Sequence, residues 1–263
     1  MDKFSKICKD IKNIKIQGAE NIAKAALAAY SLKPSSGSIK KLVSLRKTEP
    51  MVENALKYAR KNGSKKTLKI IKGNERKIIE NGVKLIKNNF VIYTHCHSST
   101  VTSILKEAHK KGKRFSVFNT ETRPLFQGRK TAIELAKAGI KVTMIVDDAV
   151  ELALKKADIM IIGADAILKN GILNKIGSGL FAEEAFRHKI PVYIASNSWK
   201  YSKKSVKIEE RDEKEVFVER LRKLKERNPA FEFVDKRYIK GIICEYGILN
   251  FEKFLRKVSK LTA

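Results

Sequence analysis

The 263-residue sequence predicts an α/β protein: a doubly wound, mostly parallel, Rossmann-like sheet over residues 90–263, behind an all-helical domain over residues 1–89. Two observations predict this. Short apolar runs, Phe90–Thr94, Phe115–Phe118, Val142–Val146, Ile159–Gly163 and Val192–Ala195, alternate with stretches of helical spacing such as Ser98–Lys111 and Gln127–Ala138. Strands that lack a polar face and alternate with amphipathic helices belong to a parallel sheet covered on both sides. Before residue 90 no convincing strand appears, and apolar residues recur at helical spacing.

In order, an Ala-rich helix is expected over Ile14–Tyr30, broken by Pro34-Ser35-Ser36-Gly37. Ser36 or Ser38 can cap a following helix through Leu45. Pro50 suits the first turn of the next, where its missing N–H costs nothing, and Asn62-Gly63 ends it. A last long helix runs toward Asn88-Asn89. Right-handed crossovers then wind the strands into an open sheet, whose ligands collect where strands end at their carboxyl edge.

Composition narrows the class. Hydrophobic residues make up 43% and charged residues 32%, an ordinary globular balance. No apolar run approaches the roughly 18 residues of a membrane helix, and the N-terminus interleaves lysine with apolar residues, unlike a secretory signal. A cytoplasmic location follows as the expectation. Three scattered cysteines in no paired spacing argue against a disulfide framework or a zinc site. Cys8, in a helical pattern, and Cys244, in the run GIIC, read as packing residues. The net charge of +28 is densest in residues 1–90, with 22 Lys and Arg against 7 Asp and Glu, yet it is spread everywhere. Without a legible nucleic-acid module it reads as a solvated lysine surface that steers anionic substrates.

The strand ends carry the chemistry. Phe90–Thr94 runs into His95-Cys96-His97-Ser98-Ser99 and then a helix. A cysteine beside a helix N-terminus is expected to have a lowered pKa, and the serine hydroxyls with free helix amides make a phosphate cradle. Adjacent His-Cys-His cannot easily converge on one ion, so no metal is expected. Ile159–Gly163 ends in Ala164-Asp165, which is either a loop or capping aspartate or an acid at the same edge. Asn174-Lys175-Ile176-Gly177-Ser178 reads as a loop entering a helix, its lysine either solvated or a phosphate ligand. Thr120-Glu121-Thr122-Arg123-Pro124 precedes a helix opened by Gln127, and Val192–Ala195 leads to Ser196-Asn197-Ser198-Trp199-Lys200. Four strand ends thus bring Cys, Asp, Lys, Gln and hydroxyls to one edge, as an anion-binding active site requires.

Together the strings THCHSS, NTETRPLFQG, GADAILKNGILNKIGS, ASNSWKYS and NPAFEFVDKRYIKGIICEYG resemble the family shared by methylthioribose-1-phosphate isomerase, archaeal ribose-1,5-bisphosphate isomerase and the alpha, beta and delta subunits of translation initiation factor 2B. The resemblance covers most of residues 10–250 and is strongest from 90 to 200. It implies an aldose–ketose isomerase with Cys96 and Asp165 as its catalytic pair, since the factor subunits generally lack both. Cys96 would move the proton between C2 and C1, and Asp165 would serve the ring oxygen and hydroxyls. Gly18, Ala19, Ser98, Ser99, Gln127, Asn174, Lys175 and Lys200 would contact the sugar phosphate. The short HCHSS segment sits closer to the ribose-1,5-bisphosphate enzymes than to the methylthioribose ones. The resemblance further implies no metal or redox cofactor, a homo-oligomer (dimer or hexamer) and room for a nucleotide activator.

The sequence departs from the family at the phosphate ligands. A loop that reads approximately Arg-Gly-Ala-Gly in the family is Gln17-Gly18-Ala19-Glu20 here, and Thr-Arg-Pro is Thr48-Glu49-Pro50. Arg46, Lys47 or Arg60 could replace the lost cations. Otherwise the substrate carries a single phosphate, or the chain has become a non-catalytic sugar-phosphate or nucleotide sensor like the factor subunits. The helical domain is also shorter than the family's.

Overall fold

The structure is a computed structural model that describes residues 1–219 and 221–259. Five helices come first: α1 (Lys3–Lys12), α2 (Ala19–Leu32), α3 (Ser36–Ser44), α4 (Pro50–Asn62) and α5 (Ser64–Leu85). Alanines let α2 and α4 approach closely: Ala23, Ala26 and Ala29 are fully buried, with Leu27, Met51, Ala55 and Leu56 filling the same core. Cys8 is buried there, as expected. Pro50 opens α4, and Ser35, rather than Ser36 or Ser38, caps α3, its hydroxyl accepting from the Ser38 amide at 3.0 Å. The second helix starts at Ala19 instead of Ile14. Ile14 (φ 59°) and Gly18 (φ 84°) both lie in the left-handed region, so residues 13–18 form a turn that a continuous helix cannot contain.

The remaining elements are β1 (Val91–Thr94), α6 (Ser99–Lys110), β2 (Ser116–Thr120), α7 (Gln127–Lys137), β3 (Lys141–Ile145), α8 (Val150–Leu154), β4 (Ile159–Ile162), β5 (Ala166–Leu168), β6 (Gly171–Lys175), α9 (Ser178–Arg187), β7 (Val192–Ala195), β8 (Phe231–Asp235), β9 (Ile239–Cys244), β10 (Gly247–Leu249) and α10 (Phe251–Ser259), with strand and helix alternating as predicted from β1 through β4. The seven-stranded sheet has the order β10-β9-β7-β4-β1-β2-β3, parallel throughout except for the β9–β10 hairpin. From β1 the chain winds outward through β2 to β3. It then returns to lay β4 against the other side of β1 and continues through β7 to β9. The switch point is therefore the β1/β4 pair, the place where a doubly wound sheet opens a crevice.

Successive residues of a strand point to opposite faces, and the two faces have separate cores. Tyr93, Met160, Ile162 and Ile194 pack with α9 and α10 on one side; Ile92, Ile159, Ile161 and Ala195 pack with α5 and α6 on the other. Helix α5 joins the two layers, with Ile71 in the helical core and Ile78 and Val83 against the sheet. Cys244 is fully buried in β9. Among the described residues no helix is long and apolar enough to cross a membrane.

A second, antiparallel sheet of order β5-β6-β8 was not expected. It overturns the reading of Asn174 and Lys175 as loop residues, because both lie in β6 and pair with Glu232 and Phe231 of β8. Asn and Lys are poor strand formers, which hid the strand. The tight β5–β6 turn through Lys169-Asn170 ahead of Gly171 was the available signal.

Candidate active site

The carboxyl ends of β1 and β4 face a cleft of about 130 Å³ roofed by the start of α2 and the loop before α4. All ten residues expected at the site lie on its wall: Cys96 and Asp165, Gly18 and Ala19, Ser98 and Ser99, Gln127, and Asn174, Lys175 and Lys200. The reason lies in the topology. Neighbouring parallel strands at the switch point send their following loops in opposite directions, and the space between them receives whatever each loop carries.

Cys96 follows β1 with φ 63° and is held by its main chain. Its amide donates to Thr122 Oγ1 at 3.1 Å, and its carbonyl accepts from Thr131 Oγ1 at 2.8 Å. The lowered thiol pKa expected from the helix end is wrong in sign: burial pushes the thiol up to about 11. Helix α6 begins at Ser99, three residues on, and Ser98 caps it through the Val101 amide. A helix end contributes about 0.3–1 kcal/mol within its first turn. That is less than one pKa unit, whereas burial moves a thiol by several. Lys175 and Arg211 pull the thiol down, and the Asp165 charge opposes them.

The two flanking histidines turn away from the thiol. His95 is buried, with Nε2 donating to the Ile176 carbonyl at 2.9 Å and Nδ1 accepting from Thr120 Oγ1 at 2.6 Å. Burial lowers its pKa to about 4, so it is a neutral structural brace. The Thr131 hydroxyl is spent on Cys96, so His97 Nδ1 donates to it at 3.1 Å.

Asp165 leaves β4 through Gly163, where a methyl group would sit 2.7 Å from Ser98 Oγ; only glycine lets the two loops meet this closely. Burial raises the Asp165 pKa, while Lys200, Arg46, Arg211 and Lys175 oppose the rise. Lys200 is fixed by donating Nζ to the Ala164 carbonyl at 2.6 Å. Its turn is clasped by the helical layer, since Asn54 Nδ2 donates to the carbonyls of Trp199 (2.7 Å) and Tyr201 (3.0 Å). Lys175 is 4% exposed, its Nζ has no hydrogen-bond partner, and burial lowers its pKa. Asn174 Nδ2 donates to Ser178 Oγ at 2.8 Å. Gln127 heads α7 at the wall with its Oε1 buried and unpartnered; beside it, a methyl group on Gly128 would overlap the Thr120 carbonyl.

The altered positions resolve as follows. Glu20, in the first turn of α2, is compensated by Lys24 at 2.7 Å. Lys47 and Arg60 are exposed and away from the wall, so they do not replace the lost arginines. Arg46 is at the wall, but Glu49 and Glu209 each approach it at 3.7 Å. A buried cation that sequence reasoning missed is Arg211, which lies in a charged irregular stretch that no periodicity marks.

Glu49 faces this group with neither carboxyl oxygen hydrogen-bonded, and its pKa is pushed up to about 8 by burial and then by the Asp165 charge, against Arg46 and Lys200. A carboxyl that holds its proton longer when folded makes stability fall as pH rises from about 4.5 to 8, after which the loss is complete. Glu49→Gln is therefore expected to gain stability relative to the native chain between pH 5 and pH 8, by about 1–3 kcal/mol. Denaturant melts of both proteins at the two pH values check this, and a pH-independent difference would contradict it.

With this geometry in place, the known relatives are informative. The model of the initiation factor 2 subunit family matches residues 7–251. The chain is 35% identical to ribose 1,5-bisphosphate isomerase of Archaeoglobus fulgidus, over 95% of this chain and 90% of the relative. It is 38% identical to the protein of the same name from Methanocaldococcus jannaschii, over 95% and 92%. Among solved structures, translation initiation factor eIF-2B of Pyrococcus horikoshii superposes with a TM-score of 0.88 at 28% identity, covering 96% of this chain and 98% of that one. By sequence and by fold, the chain belongs to the initiation factor 2 subunit family.

Proposed function

We propose that the protein is an aldose–ketose isomerase of sugar phosphates and that it converts ribose 1,5-bisphosphate to ribulose 1,5-bisphosphate. The observation that carries this is the pairing of Cys96 and Asp165 across the switch point, within a wall that also presents Lys175, Lys200 and Arg211. The names of the relatives from Archaeoglobus fulgidus and Methanocaldococcus jannaschii support the same substrate.

A sugar whose C1 oxygen bears phosphate cannot open its ring like a free aldose, so the ring oxygen needs an acid. Asp165, shifted toward its protonated form, gives its proton to that oxygen and regains one from the C2 hydroxyl. Cys96 takes the hydrogen of C2 as a proton and returns it to C1, which becomes a methylene while C2 becomes the ketone. The two roles favour each other. The charge of Asp165 helps to keep the thiol protonated, so an Asp165 that carries its proton eases formation of the thiolate. No metal or redox cofactor is needed for this sequence of proton transfers.

A competing reading, a non-catalytic sugar-phosphate or nucleotide sensor, draws on Gln17 and Glu49 standing where the family has arginine. Methylthioribose 1-phosphate is the alternative substrate. Comparing kcat/KM for ribose 1,5-bisphosphate and 5-methylthioribose 1-phosphate decides among them. The proposal expects at least a tenfold preference for the bisphosphate, which the second phosphate's charged hydrogen bonds supply. The reverse preference, or binding of either sugar without turnover, would contradict it. Assembly into a homo-oligomer is part of the proposal; the edge strand β3 exposes Met144, and Val146 just after it is also exposed.

A further inference from the structure

Two buried cations on the wall of one cleft have unspent donors. Lys175 ends β6 directly opposite Phe231 of β8, and the Arg211 guanidinium lies 6.0 Å from the Phe231 ring centroid. The Arg211 side chain is 8% exposed, and its Nε and Nη1 have no hydrogen-bond partner. Its nearest carboxylate, Glu209, is 3.6 Å from Nε and is shared with Arg46 through the other oxygen. Lys175 Nζ has no hydrogen-bond partner at all.

The main chain around Arg211 is fixed and not a loose loop. Its amide donates to the Asn228 carbonyl at 2.9 Å, the Ala230 amide donates to Glu209 at 2.8 Å, and Glu210 bridges Pro229. This antiparallel pairing ties the arginine to the residues that lead into β8, so the fold pays for holding two like charges together out of water. Such an arrangement is costly unless an anion completes it.

Taking the aldose–ketose reading above as given, we propose that Lys175 and Arg211 together hold the phosphate on the anomeric carbon, with Arg211 supplying the forked donor that Gln17 and Glu49 no longer provide. A guanidinium binds a phosphate through two parallel N–H bonds, and an ammonium beside it neutralises the remaining charge. The assignment to the anomeric phosphate follows from position. His95, just before Cys96, donates to the carbonyl of Ile176, just after Lys175, at 2.9 Å, and the Cys96 and Lys175 side chains line the same cleft, so a group held by Lys175 lies next to the C1 at which Cys96 acts.

The test is calorimetric titration of the native chain, Arg211→Ala and Arg211→Lys with ribose 1-phosphate and ribose 5-phosphate, which requires no turnover. The Arg211→Ala variant is expected to lose at least about tenfold in affinity for ribose 1-phosphate and less than about threefold for ribose 5-phosphate. Arg211→Lys is expected to fall between Arg211→Ala and the native chain, and thermal melts without ligand show whether each variant is folded. Unchanged affinity for ribose 1-phosphate in a folded variant, or an equal loss for both esters, would overturn the assignment. Loss of binding in a chain that never produces ketose would sink the isomerase reading and leave the phosphate site standing.

Discussion

Cys96→Ser is expected to lower kcat for the isomerisation by about 10²–10⁴-fold, the range that a positioned proton carrier contributes. A serine hydroxyl fits the space of the thiol but does not ionise at any accessible pH, so it cannot take the hydrogen from C2. Binding should survive, because the main chain of residue 96, and not its sulfur, makes the hydrogen bonds to Thr122 and Thr131. Steady-state kinetics with a parallel binding titration separates the two effects. Turnover within tenfold of the native chain would remove Cys96 from the mechanism. The thiol also has its own signature. With a pKa near 11, its alkylation by iodoacetamide is slow at pH 7 and climbs about tenfold per pH unit toward that value. A midpoint below 8.5 would restore the expectation drawn from the helix end.

Asp165→Asn is expected to cost a similar 10²–10⁴-fold in kcat, with binding kept or tightened. The amide cannot give a proton to the ring oxygen. It also abolishes the carboxylate form of residue 165, which when ionised competes with a phosphate for Lys200, Arg46, Arg211 and Lys175. Freed of that competitor, the cations should hold a sugar phosphate as tightly as before or more tightly, so KM stays level or falls as kcat collapses. Lys200 keeps its own anchor on the Ala164 carbonyl, which leaves the cleft wall in place. A variant with raised KM and unchanged kcat would make Asp165 a binding residue and not an acid.

What the sequence revealed and what it hid follow physical lines. Five strands of the large sheet were readable because their residues are apolar on both faces, and the carboxyl-edge rule then placed Cys96 and Asp165 together before any coordinates. Strand β6 was hidden because Asn174 and Lys175 are there for the cleft and not for strand propensity. The turn at residues 13–18 was hidden for a related reason: Ile14 is strained into the left-handed region, and it lines the same cleft. Arg211 carried no local signal, since its place is set by pairing with residues 228–230. The sign of the Cys96 shift was missed because a sequence shows the helix that follows the cysteine but not how much water its fold removes.

The most direct measurement is to incubate the purified protein with ribose 1,5-bisphosphate and follow the ketose by NMR. The account predicts ribulose 1,5-bisphosphate at a turnover on the order of 1 per second or more. Absence of ketose, from a protein that a thermal shift shows to bind the sugar, would contradict it and make the cleft a sensor's pocket.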